Sequence, residues 1–363
     1  MKHTILIALA LSAVMAAGCS KSDTPAPSTP DGYEPSTSAI SFQTELNWGD
    51  DEPTTRGFAT ETKNFTSFGV LAYYGDKDDD IATLTPNFMY DQEVTKGSDD
   101  DVWGYSPIKY WPNNTNDRMQ FFAYHPYGSG EIVLSKNNAT GYPTFTVTPA
   151  EKPYDQDDFI FDYTNKLSKS ETGVEFSFKH RLAQARVYAA RLGAEDDGET
   201  VQILGMKVSG YVATGELKYD DTQDDFVWNI PDEETTATYS FNSQELSDEI
   251  YLPPLNVATA EVSDYTALGY GQGQSYMMLI PDDAVGELNF SVLFSYFDGT
   301  SKAQAYQEFV LKEGSTLVEG EIKIYLLLVD PSDVGFGTIN VTSQPWLEET
   351  ISGDGDDGKW EIE

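Results

Sequence analysis

An all-β fold packed as β-sandwiches is what this sequence predicts, on three observations. Apolar residues come in short runs rich in β-branched and aromatic side chains, the connections carry Gly, Asn, Asp and Pro, and no segment of helical length sustains a 3.6-residue period. Aromatic residues make up 13% of the 363 positions, too many for a disordered acidic chain and enough to fill packed cores. A chain of this length supports two domains.

The elements follow in order. Residues 1–18 read as an export signal: Lys2 and His3 make a basic start, Ile5 to Ala17 run apolar, and Ala16, Ala17 and Gly18 are small. The apolar run is short of the ~20 residues a spanning helix needs. It ends at Cys19, the only cysteine, which can form neither an intrachain disulfide nor a multi-thiolate metal site. The small-small-Cys ending resembles the bacterial lipobox, in which the thiol is acylated. Several acyl chains would then anchor the protein, each buried methylene contributing about 0.8 kcal/mol.

Residues 19–38 hold four prolines and many Ser and Thr, and read as an extended tether. A strand follows over 39–47, with Ile40, Phe42 and Leu46 on one face and Ser41, Gln43 and Glu45 between them. Next comes GDDEPTTRGFATET, 49–62, polar and turn-rich, where Arg56 is the first basic residue after Lys21. Strand-like runs then continue, among them SFGVLAYY (67–74), RMQFFAYHPY (118–127), DFIFDY (158–163), VEFSFKH (174–180), ARVYAARL (185–192), ELNFSVLFSYF (287–297), IKIYLLLVD (322–330) and GTINVTSQPW (337–346). The polar stretch TNKLSKSETG (164–173) divides them into domains at 39–170 and 171–348, with GAEDDGET (193–200) as the other candidate boundary. Residues 349–363 form an acidic, glycine-rich tail.

Charge excludes one class of partner. With 22 basic against 60 acidic residues and a formal charge of −38, the chain repels phosphate backbones, so nucleic-acid binding is not expected. Catalytic patterns are missing: beyond the signal only His125 and His180 remain, with no Ser/His/Asp arrangement, HExxH or glycine-rich phosphate loop. His125 reads as a packed or turn-bonded side chain and His180 as a half-buried one bonded to backbone. The clusters GDKDDD (75–80) and SGDGDDGKWEIE (352–363) read as solvated charge rather than calcium sites. No enzyme, cofactor or metal is expected.

A series of segments carries a resemblance: the lipobox, the early strand followed by TTRG, SFGVLAYY, Trp103-x-Tyr105 with KYWP (109–112), FFAYHPY, DFIFDY, FKHRLAQARV, MMLIP and INVTSQPW. In this order they resemble the fimbrillin family of Bacteroidales, the type V pilins, from about residue 15 to 346. The resemblance implies two tandem transthyretin-like β-sandwich domains in an outer-membrane lipoprotein held by the Cys19 lipid at the cell surface. It implies a cut by a trypsin-like surface protease between Arg56 and Gly57. That cut frees the strand of Ile40, Phe42 and Leu46, whose place a strand from another pilin subunit takes. The candidate donor is the C-terminal stretch with Ile339, Val341, Trp346, Leu347 and Ile351, although the acidic tail suits a solvated end better than an inserted strand. The expected role is a fimbrial subunit in cell adhesion, with a host or bacterial ligand. The alternative is a monomeric lipid-anchored glycan-binding module that uses its Tyr and Trp side chains as sugar platforms.

Overall fold

The computed structural model describes residues 27, 29–46, 65–97, 102–170, 172–231, 235–242, 249–259, 261–269, 276–312, 316–332 and 337–345. Its first part contains β1 (Pro35–Ala39), β2 (Phe42–Leu46), β3 (Ser67–Asp76), β4 (Met89–Lys96), β5 (Trp103–Gly104), β6 (Tyr110–Pro112), β7 (Asp117–His125), β8 (Ile132–Leu134), β9 (Phe145–Val147), β10 (Ile160–Tyr163) and β11 (Val174–His180). Then come β12 (Ala183–Leu192), β13 (Thr200–Val212), β14 (Gly215–Asp220), β15 (Asp225–Asn229), β16 (Thr236–Asn242), β17 (Pro254–Leu255), β18 (Thr266–Ala267), β19 (Tyr276–Leu279), β20 (Leu288–Phe297), β21 (Lys302–Leu311), β22 (Glu321–Val329) and β23 (Thr338–Pro345). The helical pieces among the described residues are three-residue 3₁₀ turns, so the all-β class holds.

Strand alternation explains the layers. The N-terminal sheet runs β2-β11-β10-β7-β3-β4-β5. On β3 and β7, Val70, Ala72, Phe121 and Ala123 face one core, while Leu71, Tyr73, Phe122 and Tyr124 face a second. The sheet curls, bringing β2 at one end against β5 at the other, so the first core lies inside the curl. In the C-terminal half, β12 and β22 pair in parallel at the centre of one sheet, which packs on the sheet β16-β13-β20-β21. Both faces of β22 are buried, Tyr325, Leu327 and Val329 towards a third core and Ile324, Leu326 and Leu328 towards the second. Hence its run YLLLV is continuous rather than alternating.

The second core joins the halves. β9 of the first half pairs antiparallel with β14 of the second, giving a shared sheet ordered β15-β14-β9-β8. Two further features differ from the reading of the sequence. β11 is hydrogen-bonded to β10 and β2, so the N-terminal sheet runs past the division expected at 170 and extends to His180. β1 begins inside the stretch composition assigns to a tether, because Tyr33 gives that polar segment one aromatic anchor, packed edge-on against Tyr74 and Phe88.

Candidate functional site

The seat of the first two strands is the part of the fold built to hold a segment of chain. β1 pairs antiparallel with β6, and β2 pairs in parallel with β11, Phe42 opposite Val174 and Leu46 opposite Phe178. Between them the backbone is gripped at three points. Ile40 N donates to Lys109 O at 2.9 Å, the Tyr105 hydroxyl donates to Ile40 O at 2.9 Å, and Val174 N donates to Ser41 O at 2.8 Å. Burial lifts the Tyr105 hydroxyl to about 12, so it stays a donor at any physiological pH.

Ile40 and Phe42 are both buried, at 2% and 3% exposure, and Gln43 and Glu45 point to solvent, as the alternation predicts. Four rings surround Phe42. Phe176 of β11 stacks on it at 5.9 Å, Phe68 of β3 and Phe121 of β7 meet it edge-on at 6.0 and 6.1 Å, and Tyr105 leans on it at 5.4 Å. A fully buried aromatic side chain contributes about 1.5–3 kcal/mol over exposure. Close approach of the strand depends on Gly173, whose φ is +98° and whose added Cβ would lie 2.7 Å from Ser41 Oγ and 3.0 Å from Ser41 O.

β23 is an edge strand of the C-terminal sheet, paired antiparallel with β22. Ile339 is half-buried against the third core and Val341 is exposed. Asn340 Nδ2 donates to Thr259 O at 3.1 Å, and the buried ammonium of Lys323 donates to Ser343 Oγ at 2.8 Å. The described pieces of the two expected exchange elements are thus both seated in their own chain. Cys19, Arg56, Gly57, Trp346, Leu347 and Ile351 lie outside the described residues, as does the side chain of Leu46.

The histidines and acids take structural places. His125 Nδ1 lies 2.6 Å from Ser67 O, against the Phe65 ring, and burial lowers its pKa. His180 meets a carboxylate where a backbone partner was expected, its Nδ1 2.8 Å from Asp158 Oδ2. His180 ends the buried face of β11, and the buried Asp158 is the acid within reach. In the 75–80 cluster, Asp79 accepts from Asp76 N and Asp80 from Ala82 N, so these acids cap their own turns. Among the described residues no group of three or more His, Cys, Asp or Glu could hold a metal ion. The aromatic side chains go largely inward: Trp111, Phe68, Phe121 and Phe122 are fully buried. Missing from the sequence reading are Tyr33 and the role of Tyr105 as the donor that holds Ile40, because their partners lie far along the chain.

The profile of a family described as fimbrillin-like matches residues 55–346. Among solved structures, a fimbrial protein from Bacteroides vulgatus is similar at 20% identity and a TM-score of 0.63, over 85% of this chain and 99% of that one. A proposed cell adhesion protein from Parabacteroides distasonis is similar at 8% identity and 0.47, over 85% and 97%. Another, from Bacteroides uniformis, stands at 13% and 0.46, over 85% and 98%. No curated protein matches.

Proposed function

The chain belongs to the fimbrillin-like family, and from that premise we propose that it is a cell-surface subunit of a fimbria, serving adhesion and assembled by strand exchange. β1 and β2 keep a seat that a strand of another subunit takes once the chain is cut between Arg56 and Gly57 by a trypsin-like surface protease. Before that cut the protein is held at the outer membrane by lipid on Cys19. The role is structural, without a catalytic step.

One observation carries the reading: Ile40 and Phe42 fill an interior lined by strands that all lie beyond Arg56 in the chain. Removing everything before Gly57 would leave β11 with an unpaired edge and open an aromatic cavity to water, a surface that favours capture of another extended segment. The closing contact of β2 on β5 would go as well, so the cavity would open along its length.

The test is protease treatment of the lipid-free full chain, followed by mass spectrometry and unboiled SDS gels. With other fimbrial subunits present, a new N-terminus at Gly57 and SDS-resistant complexes between this chain and those subunits are expected, and Arg56→Ala should abolish both. A chain that is cut at Arg56, sheds residues 19–56 and stays monomeric in the presence of other subunits would overturn strand exchange. An absent Gly57 terminus would overturn the maturation step.

A further inference from the structure

The seat of β2 discriminates by shape, and this inference rests on the strand-exchange reading above, whose acceptor it specifies. We propose that the socket takes an extended strand carrying an aromatic side chain at the Phe42 position, and that this strand comes from a different subunit rather than from β23 of a second copy.

The four rings around Phe42 come from β11, β3, β7 and the β5–β6 connection, elements that remain when β2 leaves. Phe68 also packs on Trp103 and Phe178, Phe121 on Trp111, and Phe176 on Phe178, so the cage is held by contacts that do not involve Phe42 and does not collapse cheaply onto a smaller side chain. From the link before β2 onward the inward positions are Ile40, Phe42 and Thr44, with the half-buried Thr44 opposite Phe176 in the ladder. The socket therefore reads apolar, aromatic, small, at two-residue spacing.

β23 comes close to this pattern and misses at one position. Ile339, Val341 and Ser343 alternate as apolar, apolar, small, which sets Val341 where Phe42 sits. No register repairs the mismatch, because Thr338–Pro345 contains no aromatic residue. In the matching register Pro345 falls at the Leu46 place without an N–H to donate. Using Trp346 instead would turn Glu348 inward at the Thr44 place, opposite Phe176, burying an unpaired charge. β23 is also engaged at home through Ile339, Asn340 and Ser343, and by Gly337, whose missing Cβ makes room for the Phe309 ring.

The experiment uses the full chain with a site-specific protease sequence in place of residues 53–58, cut to completion. Fluorescent peptides are then exchanged against the retained N-terminal segment and followed by anisotropy. The peptides are residues 37–46, its F42V variant, residues 337–345, and the V341F variant of the last. The 37–46 peptide should bind on the order of 50-fold more tightly than F42V, given the buried carbons lost. Residues 337–345 should bind as weakly as F42V, and V341F should recover ten-fold or more. Equal binding by 37–46 and 337–345, or an F42V peptide that loses nothing, overturns the inference and leaves strand exchange standing. Exchange of none of the four overturns strand exchange itself and this inference with it.

Discussion

Glu131 shows how much a single half-buried side chain can set. Burial lifts its carboxyl to about 7 although the amides of Ala150 and Asp157 donate to it at 3.0 and 3.1 Å, and the nearby charges of Asp157 and Asp155 push the same way. The folded state holds this proton more tightly than the unfolded chain, whose Glu titrates near 4.5. Its contribution to stability is complete below that value and is lost as the pH rises through about 7. The melting temperature should fall between pH 5 and pH 8, and Glu131→Gln should flatten part of that fall. A variant whose pH profile superimposes on the parent's would contradict this. At this scale the sequence was legible where period alone decides: Ile40 and Phe42 face inward because every second residue does. It was illegible where a partner is remote, as for Tyr105 and Ile40, 65 positions apart, or His180 and Asp158.

Among the elements, β2 is short, parallel and at an edge, and its seating depends on the turn just before β11. Gly173→Ala adds a Cβ against Ser41 in a left-handed conformation that an L side chain resists, at a cost of about 1–2 kcal/mol. Amide exchange in residues 41–46 should accelerate by roughly ten-fold while that of β7 stays unchanged, as read by hydrogen-exchange mass spectrometry. Unchanged exchange in 41–46 would show that Gly173 does not hold the strand. Most of the long strands could be read from their β-branched and aromatic runs, while β4, β14, β15 and β16 were not among the runs named. β1 could not, because PSTSA has no apolar period, and its pairing with β6 is held from outside by Tyr33 and by Asn113 N donating to Glu34 O. Sheet membership was equally hidden for β11, whose sequence is compatible with either half until β2 and β10 are seen on its two sides.

On the scale of the whole molecule the two halves of the chain are locked rather than strung together. Arg181 lies at the junction: Nη1 is 2.9 Å from Glu319 Oε1, Nη2 donates to Phe226 O at 2.7 Å, and its own carbonyl accepts from Trp228 Nε1 at 2.7 Å. Calorimetry of the intact chain should give one unfolding transition. Arg181→Ala should lower stability by about 2–3 kcal/mol, less than for a fully enclosed pair because Glu319 keeps part of its carboxylate in water. Two separate transitions in the parent chain would refute the coupling. The all-β class was legible from the short apolar runs and their spacing, but the coupling of the halves was not, because it comes from β9 meeting β14 across some 70 residues of chain. The parallel ladder between β2 and β11 has a mechanical meaning too. Whatever segment lies there and is tugged from one end is loaded lengthwise, so its five register pairs resist in shear together instead of unzipping one at a time. Adhesion under flow asks for that kind of joint.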